Sequence, residues 1–363
     1  MLDEPTILIA TPLYPPDIGG PATYTALVEN ELGRRGYQVR VVKFSSVHHL
    51  PKIIRHLAYV AKIIKKSFGA DIIYAQDPVS VGLPALLAAT ILWKKFMVRL
   101  PGDYAWEQST QRFGVKDSID DFQNKHYGWR TEFLRFVQSL VVKRAMAVVT
   151  PSEYFKKLVT GWGSKPAKVC AIYNGLKLPD LPNATLDWDS RERVILTAGR
   201  LVPWKGFSGL INLMKDLPDW RLVIAGDGPE RQKLAEQIVE LKLTDRVTLA
   251  GSLPQEQLLE WLLKAKVFVL NTSFESFSFQ IVEAMNAGIP VIATKIGSIP
   301  ELITDGTEGV LVNPDDLMAI KNGVEKIAAD SFWRQNIIAA AKQKAQKFSV
   351  EATINKLETL WQK

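Results

Sequence analysis

The sequence predicts an α/β protein of two domains, each wound around a parallel sheet. Three observations carry this. Short, β-branched apolar runs alternate with helix-length stretches along the chain, which is the βαβ rhythm of a parallel sheet. The rhythm runs twice, on either side of the proline-punctuated, aperiodic segment Leu176–Ser190. The 363 residues suffice for two or three domains, and 47% hydrophobic with 23% charged content is ordinary for a protein with sizeable cores.

TILIAT (residues 6–11) reads as a first buried strand, and Gly19-Gly20 opens a helix that ends near Gly36. A glycine pair between strand and helix lets backbone N–H groups approach a phosphate; a tight βα turn explains it as well. A full G-x-G-x-x-G is absent, which disfavours an ordinary dinucleotide site. Gln38–Phe44 is the second strand. The helix that follows, PKIIRHLAYVAKIIKKSFG, sets Ile53, Ile54, Leu57, Val60, Ala61 and Ile64 on one face and most of its cations elsewhere. Val79–Trp93 is broken by Gly82 and Pro84 and is short for a bilayer, so it reads as a buried helix. Strands recur at 71–76, 96–100, 147–150 and 169–173. Residues 104–128 show no clear period and read as a flexible loop. Trp129–Ala145 is a long helix, and Ser152 caps the next.

Beyond the linker come strands at 193–198, 221–225, 247–249 and 267–270, with a helix over 255–264. GSIPELI and GVLVNP complete this sheet, and three helical stretches close the chain. Ligands of such sheets gather at the C-terminal ends of the strands.

The formal charge of +7 is uneven. Residues 1–180 hold 24 Lys/Arg and 15 Asp/Glu; residues 181–363 hold 21 and 23. The basic excess therefore belongs to the N-terminal half, and between Glu31 and Asp71 there is no acid at all. Contact with anionic lipid headgroups is one reading, and a merely solvated basic face is the other. No aromatic stacking platform or nucleic-acid module accompanies the charge, so nucleic acid is not expected as a partner. The single cysteine, Cys170 in VCAIY, reads as a buried strand thiol; it excludes an intrachain disulfide and fits a reducing, cytoplasmic compartment. No Cys/His metal spacing is present, and the N-terminal run reads as neither signal peptide nor membrane span.

The most informative stretch is 271–301, NTSFESFSFQIVEAMNAGIPVIATKIGSIPE. It places Glu275 in a loop past a strand end and Glu283 in the following helix, just over two turns from its start. Two carboxylates beside a helix N-terminus suit a sugar joined to a phosphate. Phosphate oxygens take helix N–H groups, and each carboxylate accepts two hydroxyl hydrogen bonds. Favourable dipole interaction and plain solvation are the bland alternatives for these two acids.

The stretch resembles the E-x7-E signature of family 4 retaining glycosyltransferases, which have two Rossmann-like domains facing across a cleft (the GT-B fold). Glu275, Phe277, Glu283, Ala284, Met285, Gly288, Pro290 and Val291 keep the pattern; Ser278 and Asn286 stand where the family has Gly and Ala. GRLVPWKG keeps the family's G-R-L-x-x-x-K-G in full. In RLPGDYAWE, Pro101 occupies a position where the family often has a sugar-contacting His.

The resemblance implies a retaining transferase that moves a sugar from a nucleotide-diphosphate sugar, UDP- or GDP-linked, to a glycan or glycolipid hydroxyl, with no cofactor and no metal. It implies that Arg200 and Lys205 clamp the diphosphate. Glu283 would take ribose hydroxyls and Glu275 donor-sugar hydroxyls. Gly19, Gly20 and the backbone of Ser278, Phe279 and Gln280 would add N–H donors. Asp103 becomes the candidate for the acceptor hydroxyl, with a helix-cap aspartate as its alternative. The expected layout is an acceptor-side domain over 1–176, a linker over 177–190, a donor-binding domain over 191–348, and a C-terminal helix over 349–363 that packs back on the first domain. A sugar-nucleotide epimerase, a phosphorylase and a non-catalytic binding protein of the same architecture remain as alternatives.

Overall fold

The computed structural model describes residues 5–17, 19–177 and 192–361. The linker expected over 177–190 lies, except for Lys177, outside the described residues. The chain divides into two compact units, one of residues 1–175 with 350–363 and one of residues 176–349.

The first unit runs β1 (Ile7–Thr11), α1 (Gly20–Arg34), β2 (Val39–Lys43), α2 (Lys52–Lys66), β3 (Ile72–Ala75), α3 (Gly82–Leu92), β4 (Lys95–Arg99), α4 (Tyr104–Arg112), α5 (Ile119–Asn124), α6 (Trp129–Arg144), β5 (Ala147–Thr150), α7 (Glu153–Thr160) and β6 (Val169–Ala171). Its six strands are parallel, in the order β2-β1-β3-β4-β5-β6. β1, β3 and β5 are buried along their whole length, as expected of strands covered on both faces. The order reverses after β2, so right-handed crossovers put α1 on one face and α2, α3 and α6 on the other. On the α1 face, Tyr24, Val28 and Leu32 share a core with Ile354, Leu357 and Trp361 of the C-terminal helix. Arg35 fastens that helix through Asn355 and Glu358.

Three expectations fail here. Residues 104–128 are not one flexible loop but contain α4 and α5. Both are short helices started by side-chain caps, Asp103 to the Trp106 N–H and Ser118 to the Asp121 N–H. Buried Trp106 and Phe122 hold them down, an anchoring too sparse to show as a period. The α3 helix is not fully buried, since Leu87 and Ile91 are exposed. Cys170 is only half-buried, on strand β6 at the sheet edge.

The second unit runs β7 (Glu192–Ala198), α8 (Phe207–Leu213), β8 (Arg221–Ala225), α9 (Arg231–Glu240), β9 (Val247–Gly251), α10 (Gln255–Lys264), β10 (Ala265–Leu270), α11 (Phe279–Asn286), β11 (Val291–Thr294), α12 (Ile299–Leu302), β12 (Val310–Val312), α13 (Leu317–Ala329) and α14 (Ser331–Ala345). The final helix, α15 (Val350–Trp361), belongs to the first unit. The second sheet is also parallel, in the order β12-β11-β10-β7-β8-β9. Helices α8, α9, α13 and α14 build one core against β7, β8, β10 and β11. The chain winds outward from β7 to β9, then returns and winds the other way from β10. The point of reversal lies between β7 and β10, and sheets of this kind take their ligands at the strand C-termini there.

Candidate active site

The loops after β7 and β10 meet at this reversal. Lys205 Nζ lies 2.5 Å from Glu275 Oε2, with side chains only 13% and 10% exposed. Hydrogen bonds to backbone carbonyls hold the two loops against each other. The Trp204 carbonyl accepts from the Ser273 N–H at 2.8 Å and the Thr272 hydroxyl at 3.0 Å. Asn271 Nδ2 donates to the Gly206 carbonyl at 3.1 Å. Gly206 sits at φ +63°, and a Cβ there would fall 2.1 Å from the Asn271 carbonyl oxygen, so only glycine allows this approach.

The loop after β11 braces Glu275 from the other side. The Ser298 N–H donates to the Glu275 carbonyl at 3.0 Å. Gly297, at φ +56°, passes so close that a Cβ would meet that same oxygen at 2.3 Å. Thr294 Oγ1 donates to the Thr272 carbonyl at 2.5 Å and accepts from the Thr272 N–H at 3.1 Å. Glu275 is therefore set by three strand-end loops at once, and its orientation carries little entropy to lose on binding.

Ser278, standing where the family pattern has Gly, fits its place without strain. It lies at φ −100°, a conformation open to any residue, and its hydroxyl caps α11 by accepting from the Ile281 N–H at 3.3 Å. The replacement of glycine therefore strains nothing and supplies a cap. The helix begins at Phe279, so Glu283 is its fifth residue, nearer the N-terminus than two turns. Among the described residues no partner bonds the Phe279 and Gln280 N–H groups or the Glu283 carboxylate. Burial pushes the Glu283 carboxyl up to about 7, because nothing compensates its charge. Arg200 is exposed and makes no ion pair among the described residues. The structure thus brings Lys205 and Glu275 into contact, while Arg200 and Glu283 stand apart on the same loop and the adjoining helix.

In the first unit Gly19 is the N-cap of α1 at φ +148°, and Gly20 is the first helical residue. Asp103 departs from the role expected of it. It is 1% exposed and both its oxygens are occupied. Oδ1 accepts from the Trp106 N–H and Gln138 Nε2, each at 3.1 Å, and Oδ2 from Gln123 Nε2 at 3.0 Å. Burial raises its carboxyl above the ordinary range. Its work is to join α4, α5 and α6; the alternative of a capping aspartate holds. Asn271, Thr272, Thr294 and Gly297 are the supporting residues that sequence reasoning passed over. Their only local signal is position just past a strand end.

Among the described residues no group of three His, Cys, Asp or Glu side chains could hold a metal, and no helix is long and apolar enough to cross a membrane.

Residues 183–344 match the family of glycosyl transferases group 1, and residues 42–175 match the glycosyl transferase 4-like domain. The chain is 25% identical to an uncharacterised glycosyltransferase of Methanocaldococcus jannaschii, over 93% of this chain and 92% of that one. It is 26% identical to the lipopolysaccharide core biosynthesis glycosyltransferase LpsD of Rhizobium meliloti, over 68% and 71%. In fold it is similar to Anabaena HepE, solved in complex with UDP and glucose, at a TM-score of 0.78 and 21% identity, covering 98% of this chain and 99% of that one. The GT-B fold class expected from the motifs is the one observed.

Proposed function

The chain belongs to the glycosyltransferases, its halves matching the group 1 and 4-like families, and from that premise we propose how its residues divide the work. The protein transfers a sugar from a nucleotide sugar. In our reading the donor is a UDP- or GDP-sugar, seated on the second unit at the reversal between β7 and β10.

One observation carries this reading: the nearly sealed Lys205–Glu275 pair at the place where such sheets take ligands. A lysine ammonium has three N–H donors. One holds Glu275, and two remain for diphosphate oxygens. Arg200, exposed on the same loop and without an ion pair among the described residues, adds a second cation. Together they stabilise the charge that grows on the leaving diphosphate, the step at which fixed cations are most effective. This charge supply is why we read the reaction as metal-independent. The open N–H groups of Phe279 and Gln280 complete the anion cradle.

Glu275 accepts hydroxyls of the transferred sugar, and Glu283 accepts those of the ribose. Glu275 is tied to Lys205, and we assign no group of the site as a covalent nucleophile. Retention is read from the E-x7-E resemblance, and without a covalent nucleophile it takes the form of front-face substitution, with the departing phosphate helping to deprotonate the acceptor. The acceptor is a hydroxyl of a glycan or glycolipid, met at the cytoplasmic face of a membrane toward which the basic first half of the chain is drawn.

The test is donor hydrolysis and thermal shift over a panel of nucleotide sugars. One donor should raise the melting temperature by mass action and be turned over. If no donor does either, the reading fails.

A further inference from the structure

Helix α3 packs between α2 and α6 on the face of the first sheet opposite α1. The outer surface of this three-helix layer is unlike one facing water. Helix α3 (GLPALLAATIL) carries no charge, yet exposes Leu87 and Ile91. Helix α6 exposes Trp129 at 76%, Phe133 at 58% and Phe136 at 62%. Their spacing of four and three residues puts the three rings on one stripe. Helix α2 exposes Leu57, and the turn leaving α3 exposes Trp93 with Lys95 beside it. Single exposed apolar side chains need no explanation, but such a concentration on neighbouring helices does.

The charges on this layer are almost all positive. The three helices hold nine Lys/Arg and one carboxylate, Glu132, which Arg135 engages at 3.1 Å. Lys65, Lys66, Arg130, Lys143 and Arg144 are exposed, and the Arg130 guanidinium lies 5.5 Å from the centre of the Trp129 ring. Exposed aromatic rings bordered by cations, with the single acid engaged by an arginine, form the composition that settles at a bilayer interface. A protein partner would have to supply both a greasy and an acidic surface; an anionic leaflet supplies both at once.

We propose that the outer surface of α2, α3 and α6 inserts into an anionic bilayer, with Trp129, Phe133 and Phe136 at the headgroup–acyl boundary and the lysines and arginines on the phosphates. This deepens the proposed sugar transfer by making the acceptor lipid-linked; the binding claim itself stands apart from that reading. Attachment by inserted rings differs from attachment by charge alone, because salt screens only the latter.

The experiment is co-sedimentation of the full chain with phosphatidylcholine vesicles and with vesicles containing one-quarter phosphatidylglycerol, at 0.1 and 0.5 M salt. We expect roughly tenfold tighter binding to the anionic vesicles, with a substantial part surviving high salt. The triple variant W129S/F133S/F136S should lose roughly tenfold in binding at both salt concentrations. The variant K65Q/K66Q should lose binding mainly at low salt. Donor hydrolysis without vesicles should be unchanged in both variants, which also reports that they fold. Absence of wild-type binding to anionic vesicles, or wild-type binding by the aromatic variant, overturns the proposal. So does conversion of an oligomer to a monomer by that variant, which assigns the face to a second copy. Absent donor hydrolysis in a wild type that still binds vesicles would count against sugar transfer and leave the membrane surface standing.

Discussion

Lys205 and Glu275, seventy residues apart, form an ion pair 2.5 Å long that is almost closed to water. Removing one partner strands the other charge, at a cost on the order of 3 kcal/mol or more for a well-buried pair. The pair is a staple between two loops, and in the proposed reading it is also part of the donor site; the two roles can be separated. Lys205→Ala and Glu275→Ala should each lower turnover by roughly a hundredfold or more. The double variant K205M/E275Q should recover much of the lost melting temperature without recovering turnover. If the double variant is as active as the wild type, the pair only holds the loops together.

The glycine beside each partner should be as sensitive as the pair. Gly297→Ala adds a Cβ 2.3 Å from the Glu275 carbonyl oxygen at φ +56°, and Gly206→Ala meets the Asn271 carbonyl oxygen at 2.1 Å. Each should destabilise the fold by about 2 kcal/mol or more, since backbone atoms must shift to make room. A donor titration of folded Gly297→Ala should show raised KM together with lowered kcat, because Glu275 itself is displaced.

At Ser278 the opposite outcome is expected. With φ at −100°, Ser278→Gly relieves no strain and forfeits only a cap. Stability should fall by a few tenths of a kcal/mol, and Ser278→Ala should cost about 1 kcal/mol. Turnover of Ser278→Gly should stay within about twofold of wild type, as expected when no side chain reaches the substrate. A large rise in activity with glycine would show that the serine obstructs the phosphate.

Glu283 sets a pH dependence. Its folded carboxyl titrates near 7, above the ordinary 4.5, so between these values the folded state holds a proton that the unfolded state has released. Stability therefore falls as pH rises through this window. Glu283→Gln should flatten that fall and raise stability at pH 8, by on the order of 2 kcal/mol. Donor affinity should move the other way in the wild type, improving above pH 7 as the carboxylate forms to accept hydroxyls. Chemical denaturation and KM measured from pH 5 to 8 check both. Parallel curves for wild type and Glu283→Gln would show that this group does not titrate there.

Asp103→Asn keeps one acceptor oxygen and loses the one that Gln123 uses. The expected loss is about 1–2 kcal/mol of stability. Donor hydrolysis should persist in the folded variant. A complete loss of sugar transfer with unchanged stability would return Asp103 to the acceptor site.

The rhythm of apolar runs and helical periods was enough to foresee two parallel sheets, because strand burial and helix amphipathicity leave marks within a few residues. The E-x7-E stretch was legible for the same reason: a strand exit, a loop and a helix start follow one another directly, and Glu275 and Glu283 fall on them. The basic excess of the N-terminal half also needs only counting. What lay beyond the sequence was every fact that depends on strand order. Only the reversal between β7 and β10 brings Lys205 to Glu275, and only the packing of α5 and α6 around α4 occupies both oxygens of Asp103. Likewise, no local period reveals that the uncharged α3 keeps part of its surface outside the core. A residue's own neighbours decide its backbone; distant segments decide which of its polar atoms are left open, and chemistry depends on those.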